Sequence, residues 1–281
     1  MDEARRVDAA LGLGYPREMS QLWSALFTQS FGTGPLITWI HGLGESSLCF
    51  AEIARHRRLS GFRHQLVDLP GYGRSPWPAA PYSLEQAAQE LTAWLASAGE
   101  PSVLIGHSMG GVLGQLVAER TSLTALINVD GNLSSGDCTF SSRAAALSMD
   151  DFVRHGFDAL RDWVYRGGVD KLPLRGYYAS MRLADPRVFH RHSQDLLAYA
   201  QPADFAARAA ALSIPALYLA GVPDGACAQS RQLLDDAGAR WRGLSPAGHW
   251  PFLDVPDAFA AAVAEFLAPI AAAEVAPVLA R

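Results

Sequence analysis

Short apolar runs alternate with helical spacing through the first half of the chain. Leu36-Ile37-Thr38-Trp39-Ile40, His64-Gln65-Leu66-Val67-Asp68, Ser102 to Ile105 and Ala125-Leu126-Ile127-Asn128-Val129 each read as a buried strand ending at a turn. Ser83-Leu84-Glu85-Gln86 has capping-box spacing and opens a helix to about Ala98; a second helix runs from Met109 to about Glu119. Strands alternating with helices predict a parallel sheet joined by crossover helices. From about Asn132 to Ala211 the rhythm changes to a helical stretch rich in aromatics, with no buried-strand run. Alternation resumes at Ile214 to Ala220, followed by a weaker strand near Arg240 to Leu244. An Ala-rich helix then runs from Pro256 to Leu267, before an Ala/Pro tail expected to fray. The pattern predicts one α/β domain with a helical insertion between two strands. Residues 1–131 and 212–281 would form the core and 132–211 the helical insertion.

Composition narrows the partners. Apolar residues at 49% against 18% charged describe a soluble globular protein. A net charge of −5 argues against nucleic acid or an anionic membrane as partner. Cys49, Cys138 and Cys227 are odd in number and widely spaced, so neither a disulfide framework nor a metal site is expected. Met1 to Arg6 is mixed in charge with no apolar run after it, which points to the cytoplasm and away from a membrane. Lys171 is the only lysine and lies in a polar stretch, giving Schiff-base chemistry little support.

Chemistry concentrates at Gly106-His107-Ser108-Met109-Gly110, where a strand turns directly into a helix with one serine at the apex. A serine hydroxyl needs a base, and the base needs a group to orient it. His249, in the turn Ala247-Gly248-His249-Trp250-Pro251 after the last strand, is the candidate base. Two strand-end carboxylates compete for the third role: Asp224 is preferred and Asp130 stays open. The backbone N–H groups of Leu43, in His41-Gly42-Leu43-Gly44, and of Met109 are the candidate oxyanion donors. His107 is expected to point away from the serine and pack. His190-x-His192 is expected on a solvated surface of the insertion. The aromatic insertion suggests a largely apolar pocket, with His41, Trp163, Tyr177, Tyr178 and Trp250 as candidate lining residues.

These segments, together with Asp68-Leu69-Pro70-Gly71-Tyr72-Gly73-Arg74-Ser75 and Pro256-Asp257-Ala258-Phe259, resemble the α/β-hydrolase superfamily. The resemblance covers nearly the whole chain outside the insertion, with the pieces in the family's order. It implies an α/β fold with a twisted, mostly parallel sheet flanked by helices, a helical cap over the pocket, no cofactor, and an acid after the strand preceding the histidine or, in some members, one strand earlier. The Asp-x-Pro-Gly-x-Gly-x-Ser segment is similar to that of epoxide hydrolases, dehalogenases, C–C bond hydrolases and small esterases. A serine nucleophile favours ester, thioester, lactone or C–C hydrolysis of a small-molecule acyl substrate. The alternatives are an acyltransferase or cyclase using the same acyl-enzyme, and a low-turnover ligand receptor on this fold.

Overall fold

The computed structural model describes residues 22–275, with side chains through residue 272; the Met1 to Arg6 stretch and residues 276–281 lie outside it. Seven strands form one sheet: β1 (Thr28–Gly32), β2 (Leu36–Ile40), β3 (Arg63–Val67), β4 (Ser102–His107), β5 (Ala125–Val129), β6 (Ala216–Asp224) and β7 (Trp241–Gly248). Their spatial order is β1-β3-β2-β4-β5-β6-β7. Every pairing is parallel except β1 against β3. Strands β2, β4 and β5 are buried at every residue, as parallel strands covered on both faces require. β1 is absent from the sequence reading for a physical reason. Thr28-Gln29-Ser30-Phe31-Gly32 is an edge strand with partly exposed residues, so it carries no apolar run.

The longer helices are α1 (Leu84–Ser97), α2 (Met109–Ala118), α3 (Thr139–Ala145), α4 (Phe157–Gly167), α5 (Leu172–Met181), α6 (Pro186–Ala200), α7 (Phe205–Ala210), α8 (Ala228–Asp236) and α9 (Pro256–Val275). The expected capping box opens α1: Ser83 Oγ accepts Gln86 N–H, and Gln86 Oε1 accepts Ser83 N–H. Leu84, Ala87, Ala88, Leu91 and Leu95 form its buried stripe. α9 runs past Leu267 and through Pro269 to Val275, longer than expected; high alanine propensity sustains the added turns.

Helices α3 to α7 fill the interval between β5 and β6 and are tied to the loops beneath them. Asp185 N–H donates to Gly71 O at 2.8 Å, and Leu84 N–H donates to Asp195 at 2.8 Å. Gln115 Nε2 of α2 donates to Phe205 O at 2.9 Å. His190 and His192 are buried in this contact, which corrects their expected place on a solvated surface. His190 Nε2 reaches Leu147 O, and His192 stacks on Tyr72 while its Nδ1 meets the Tyr72 hydroxyl at 2.9 Å. Burial, then the neighbouring Arg191, pushes the His192 imidazole down to about 3. The spacing of these two histidines on α6 reflects packing. Among the described residues no helix is long and apolar enough to cross a membrane.

The Asp68 to Ser75 segment is a knot of polar contacts below the site. The buried Asp68 carboxylate accepts Ser47 N–H at 2.7 Å and Arg74 N–H at 2.8 Å, and Ser75 Oγ donates to Asp68 O at 2.6 Å. Gly73 sits at φ +56°, where a Cβ would run into the Asp68 carboxylate. Burial alone would raise the Asp68 carboxyl, but His41 and the Ser47 and Arg74 donors hold it below its usual range. Asp68→Ala strands these buried donors and is expected to cost about 2–4 kcal/mol. Urea unfolding would register this as a lower midpoint at unchanged slope; an unshifted midpoint would contradict it.

Candidate functional site

All the parallel strands end on one edge of the sheet, and their register decides which residues meet there. Ile40 of β2 pairs with Gly106 of β4, and His107 pairs with Val129 of β5. Gly42, Ser108 and Asp130 therefore leave the sheet at one level. Ligand sites of open α/β sheets form at this carboxyl edge.

Ser108 is held at φ +53°, ψ −118°, a conformation that costs a residue with a side chain about 1–3 kcal/mol. The surroundings enforce it. Ser108 N–H donates to Val129 O at 2.8 Å, while Gly111 and Val112 N–H both donate to Ser108 O. A Cβ on Gly106 would meet the Gly110 carbonyl, and one on Gly110 would meet the Ile40 carbonyl. The turn closes only because both positions lack side chains. Neither the Leu43 nor the Met109 amide has a protein acceptor among the described residues. Both residues border the turn, Met109 as the first residue of α2, where an N–H has no intrahelical acceptor.

His249 follows β7, and its Nδ1 lies 3.9 Å from Asp130 Oδ2. The two candidate acids differ sharply in placement. Asp130 is buried, and its Oδ1 accepts Gly221 N–H at 3.1 Å and Ala226 N–H at 2.9 Å. A Cβ on Gly225 would run into the same carboxylate. Asp224, preferred from sequence, is exposed, and its carboxylate makes no hydrogen bond or ion pair among the described residues. Register explains the difference: Val129 pairs with Leu219, so Asp130 stands level with Ala220, and Asp224 lies four residues farther out beside Gly248. Burial pushes the Asp130 carboxyl well above its usual range, opposed by the Gly221 and Ala226 N–H groups. The His249 imidazole is pushed down to about 3, by burial first and then by His107. Its side chain remains 20% exposed on the cavity side.

Reading from sequence overlooked Glu45. This buried carboxylate accepts Gly42 N–H at 2.7 Å and Trp250 Nε1–H at 2.6 Å, and it lies 2.8 Å from His107 Nδ1. Burial alone would raise Glu45, yet the His107 charge and these hydrogen bonds bring it down to about 2. A Glu three residues after Gly42 has the spacing of a turn-closing side chain, which was the available signal. His107 packs as expected, against Trp250 and Phe252, and its Nε2 also meets His249 O at 2.7 Å.

Ser108, His249, Asp130 and Asp224 line one cavity of about 970 Å³. Its wall also includes Leu43, Phe140, Trp163, Leu174, Tyr177 and Trp250. Of the expected lining residues, Trp163, Tyr177 and Trp250 are present and two are not. His41 is fully buried behind the wall, where its Nδ1–H donates to Gly42 O and its Nε2 accepts Leu69 N–H. Tyr178 faces the far side of its helix, against Tyr165 and Arg161. No group of three or more His, Cys, Asp or Glu among the described residues is arranged to hold a metal ion.

Residues 39–262 match the model of the alpha/beta hydrolase family. The chain is 31% identical over 266 residues to the pimeloyl-[acyl-carrier protein] methyl ester esterase of Edwardsiella ictaluri, covering 86% of this chain and 97% of that protein. It is 29% identical over 269 residues to the Serratia marcescens protein of the same description, covering 87% of this chain and 99% of that one. Among solved structures, a thermophilic esterase from Thermogutta terrifontis superposes with a TM-score of 0.72 at 21% identity, covering 88% of this chain and 94% of that one.

Proposed function

Because the chain belongs to the alpha/beta hydrolase family and is a hydrolase, we propose that it cleaves small-to-medium, largely apolar acyl esters through an acyl-enzyme on Ser108. The observation that carries this reading is the convergence of a strained serine, a histidine and a buried aspartate on one cavity. Ser108 Oγ attacks the acyl carbon as His249 takes the hydroxyl proton. The Leu43 and Met109 N–H groups receive the oxyanion. His249 returns the proton to the departing alcohol, then draws a proton from water as that water attacks the acyl-serine. Asp130 orients His249 and favours the imidazolium. The Ser108 hydroxyl makes no hydrogen bond among the described residues, and such contacts commonly tighten only once substrate is bound.

Residues 132–211 act as a cap, supplying Phe140, Trp163, Leu174 and Tyr177 to the apolar wall. A cavity of about 970 Å³ accommodates an acyl chain of several carbons. The Edwardsiella ictaluri relative is described as acting on a methyl ester of pimeloyl-[acyl-carrier protein], which makes methyl esters of medium-length acyl groups the first substrates to assay. The thiols of Cys49, Cys138 and Cys227 are unpaired, which suits a reducing cytoplasm.

A fluorophosphonate probe with intact-mass readout tests the reading, alongside hydrolysis of two- to eight-carbon acyl methyl and p-nitrophenyl esters. Wild type is expected to gain one adduct on Ser108, and Ser108→Ala none. An unlabelled wild type that hydrolyses no ester in the series would overturn the proposal.

A further inference from the structure

We propose that Glu45 and His107 form a carboxylate–imidazolium pair that positions the Gly42–Glu45 turn, the serine elbow and the His249 loop as one unit. The inference rests on the roles just given to Ser108 and His249. Hydrogen-bond direction carries it. His107 Nε2 lies 2.7 Å from the His249 carbonyl oxygen, which only accepts. His107 Nδ1 lies 2.8 Å from Glu45 Oε2, which also takes Gly42 N–H at 2.7 Å, while Oε1 takes Trp250 Nε1–H at 2.6 Å. Gly42 N–H, Trp250 Nε1–H and the Cys49 thiol already donate to Glu45, whose carboxyl is held down to about 2, so it meets His107 Nδ1 as a carboxylate, which only accepts. Both ring nitrogens of His107 therefore donate, and the ring is a cation.

A buried charge pair is a poor route to stability, because apolar residues of similar volume usually serve as well. What such residues cannot do is hold three segments in register. Gly42 N–H is captured by Glu45, and Glu45 N–H donates back to Gly42 O at 3.1 Å, so the Leu43 amide sits inside a turn pinned at both ends. Trp250 and the His249 carbonyl are fixed from the same pair across more than 140 residues of sequence. A Cβ on Gly42 would approach Glu45 Oε2 at 2.7 Å, His107 Nδ1 at 3.1 Å and Ser108 Cβ at 3.1 Å, which shows how closely the three segments meet.

The pair also sets the charge beside the base. The His107 and His249 rings are 4.7 Å apart between centroids. His249 further faces Asp130 at 3.9 Å, Asp254 takes the adjacent Gly248 N–H, and Asp224 lines the same cavity. Behind His107 stands Glu45, with His41 and Asp68 coupled to them. A cation this close disfavours protonation of His249, and the more distant Glu45 only partly offsets it. Glu45 and His107 are positioning residues: they act on the reaction through Leu43, Ser108 and His249.

Histidine-selective ¹⁵N NMR of the wild type at pH 7 reads the charge directly, with His107→Asn supplying the assignment. Two ring N–H signals for His107 are expected; a single ring proton overturns the pair. Glu45→Gln offers an amide that cannot satisfy three donors or hold the cation. It is expected to lower kcat about 10- to 100-fold with KM within about threefold, the scale of lost orienting contacts and oxyanion donors. The acid limb of kcat/KM should move to higher pH, since the nearer cation is lost with its counterion. Unchanged kcat and an unmoved acid limb would refute the positioning role. The wild-type spectrum decides the charge even where the variant does not fold. Fluorophosphonate labelling of wild-type Ser108 reports separately on the catalytic reading.

Discussion

Asp130→Asn is expected to lower kcat about ten-thousandfold while the protein stays folded. The amide keeps an oxygen for the Gly221 and Ala226 N–H groups that now bind Oδ1, so the loops around it retain their partners. It also removes a carboxyl whose ionisation is opposed by burial, so thermal stability should hold or rise. The catalytic cost comes from the other amide atom. An NH₂ group facing His249 Nδ1 needs that nitrogen as an acceptor, which shifts the ring proton to Nε2. The nitrogen that must take the serine proton is then already occupied. Asp224→Asn should leave turnover within about threefold, because an exposed carboxylate four residues beyond the level of the site has nothing to orient. Steady-state kinetics on the two variants separate the assignments, and the reverse ranking would restore Asp224.

The architecture was legible because its central strands obey simple rules. Leu36 to Ile40 and Ala125 to Val129 are buried on both faces, so their boundaries are visible as apolar runs. The serine elbow was equally visible, since a strand-to-helix turn this tight needs small residues where Gly106 and Gly110 stand. Choosing between Asp130 and Asp224 required the pairing of β5 with β6 and the register shift between Gly221 and Pro223, which no local pattern encodes. Glu45 was hidden for a related reason. Its partners Gly42, His107 and Trp250 lie on three separate segments, and only the fold brings a carboxylate beneath them. His190 and His192 show the converse error: alternate polar residues on a helix read as solvated until α6, within the insertion, is seen packed against Leu147 and the Tyr72 loop. Burial of long-range polar contacts is a property of the fold and leaves little trace in spacing.

Ser108→Ala is expected to reduce kcat about 10⁵- to 10⁶-fold, and His249→Ala should fall to nearly the same floor. The double variant should be no worse than either single one, because nucleophile and base act as one unit and removing either removes both contributions. Residual turnover would come from the Leu43 and Met109 amides and from binding in the cavity, which these substitutions leave in place. Folding should be unaffected in Ser108→Ala, since alanine carries the same Cβ into the same φ of +53°. Ser108→Gly supplies the contrasting case: glycine accepts that conformation without strain, so it should gain about 1 kcal/mol of stability while losing the same activity. Chemical denaturation and steady-state rates on the four variants test both statements at once. Additive losses in the double variant would mean that Ser108 and His249 do not work through a common step. A Ser108→Gly protein no more stable than wild type would mean that the elbow is not under strain. If both expectations hold, the stability lost at φ +53° is what holds the hydroxyl at the level of Gly42 and Asp130.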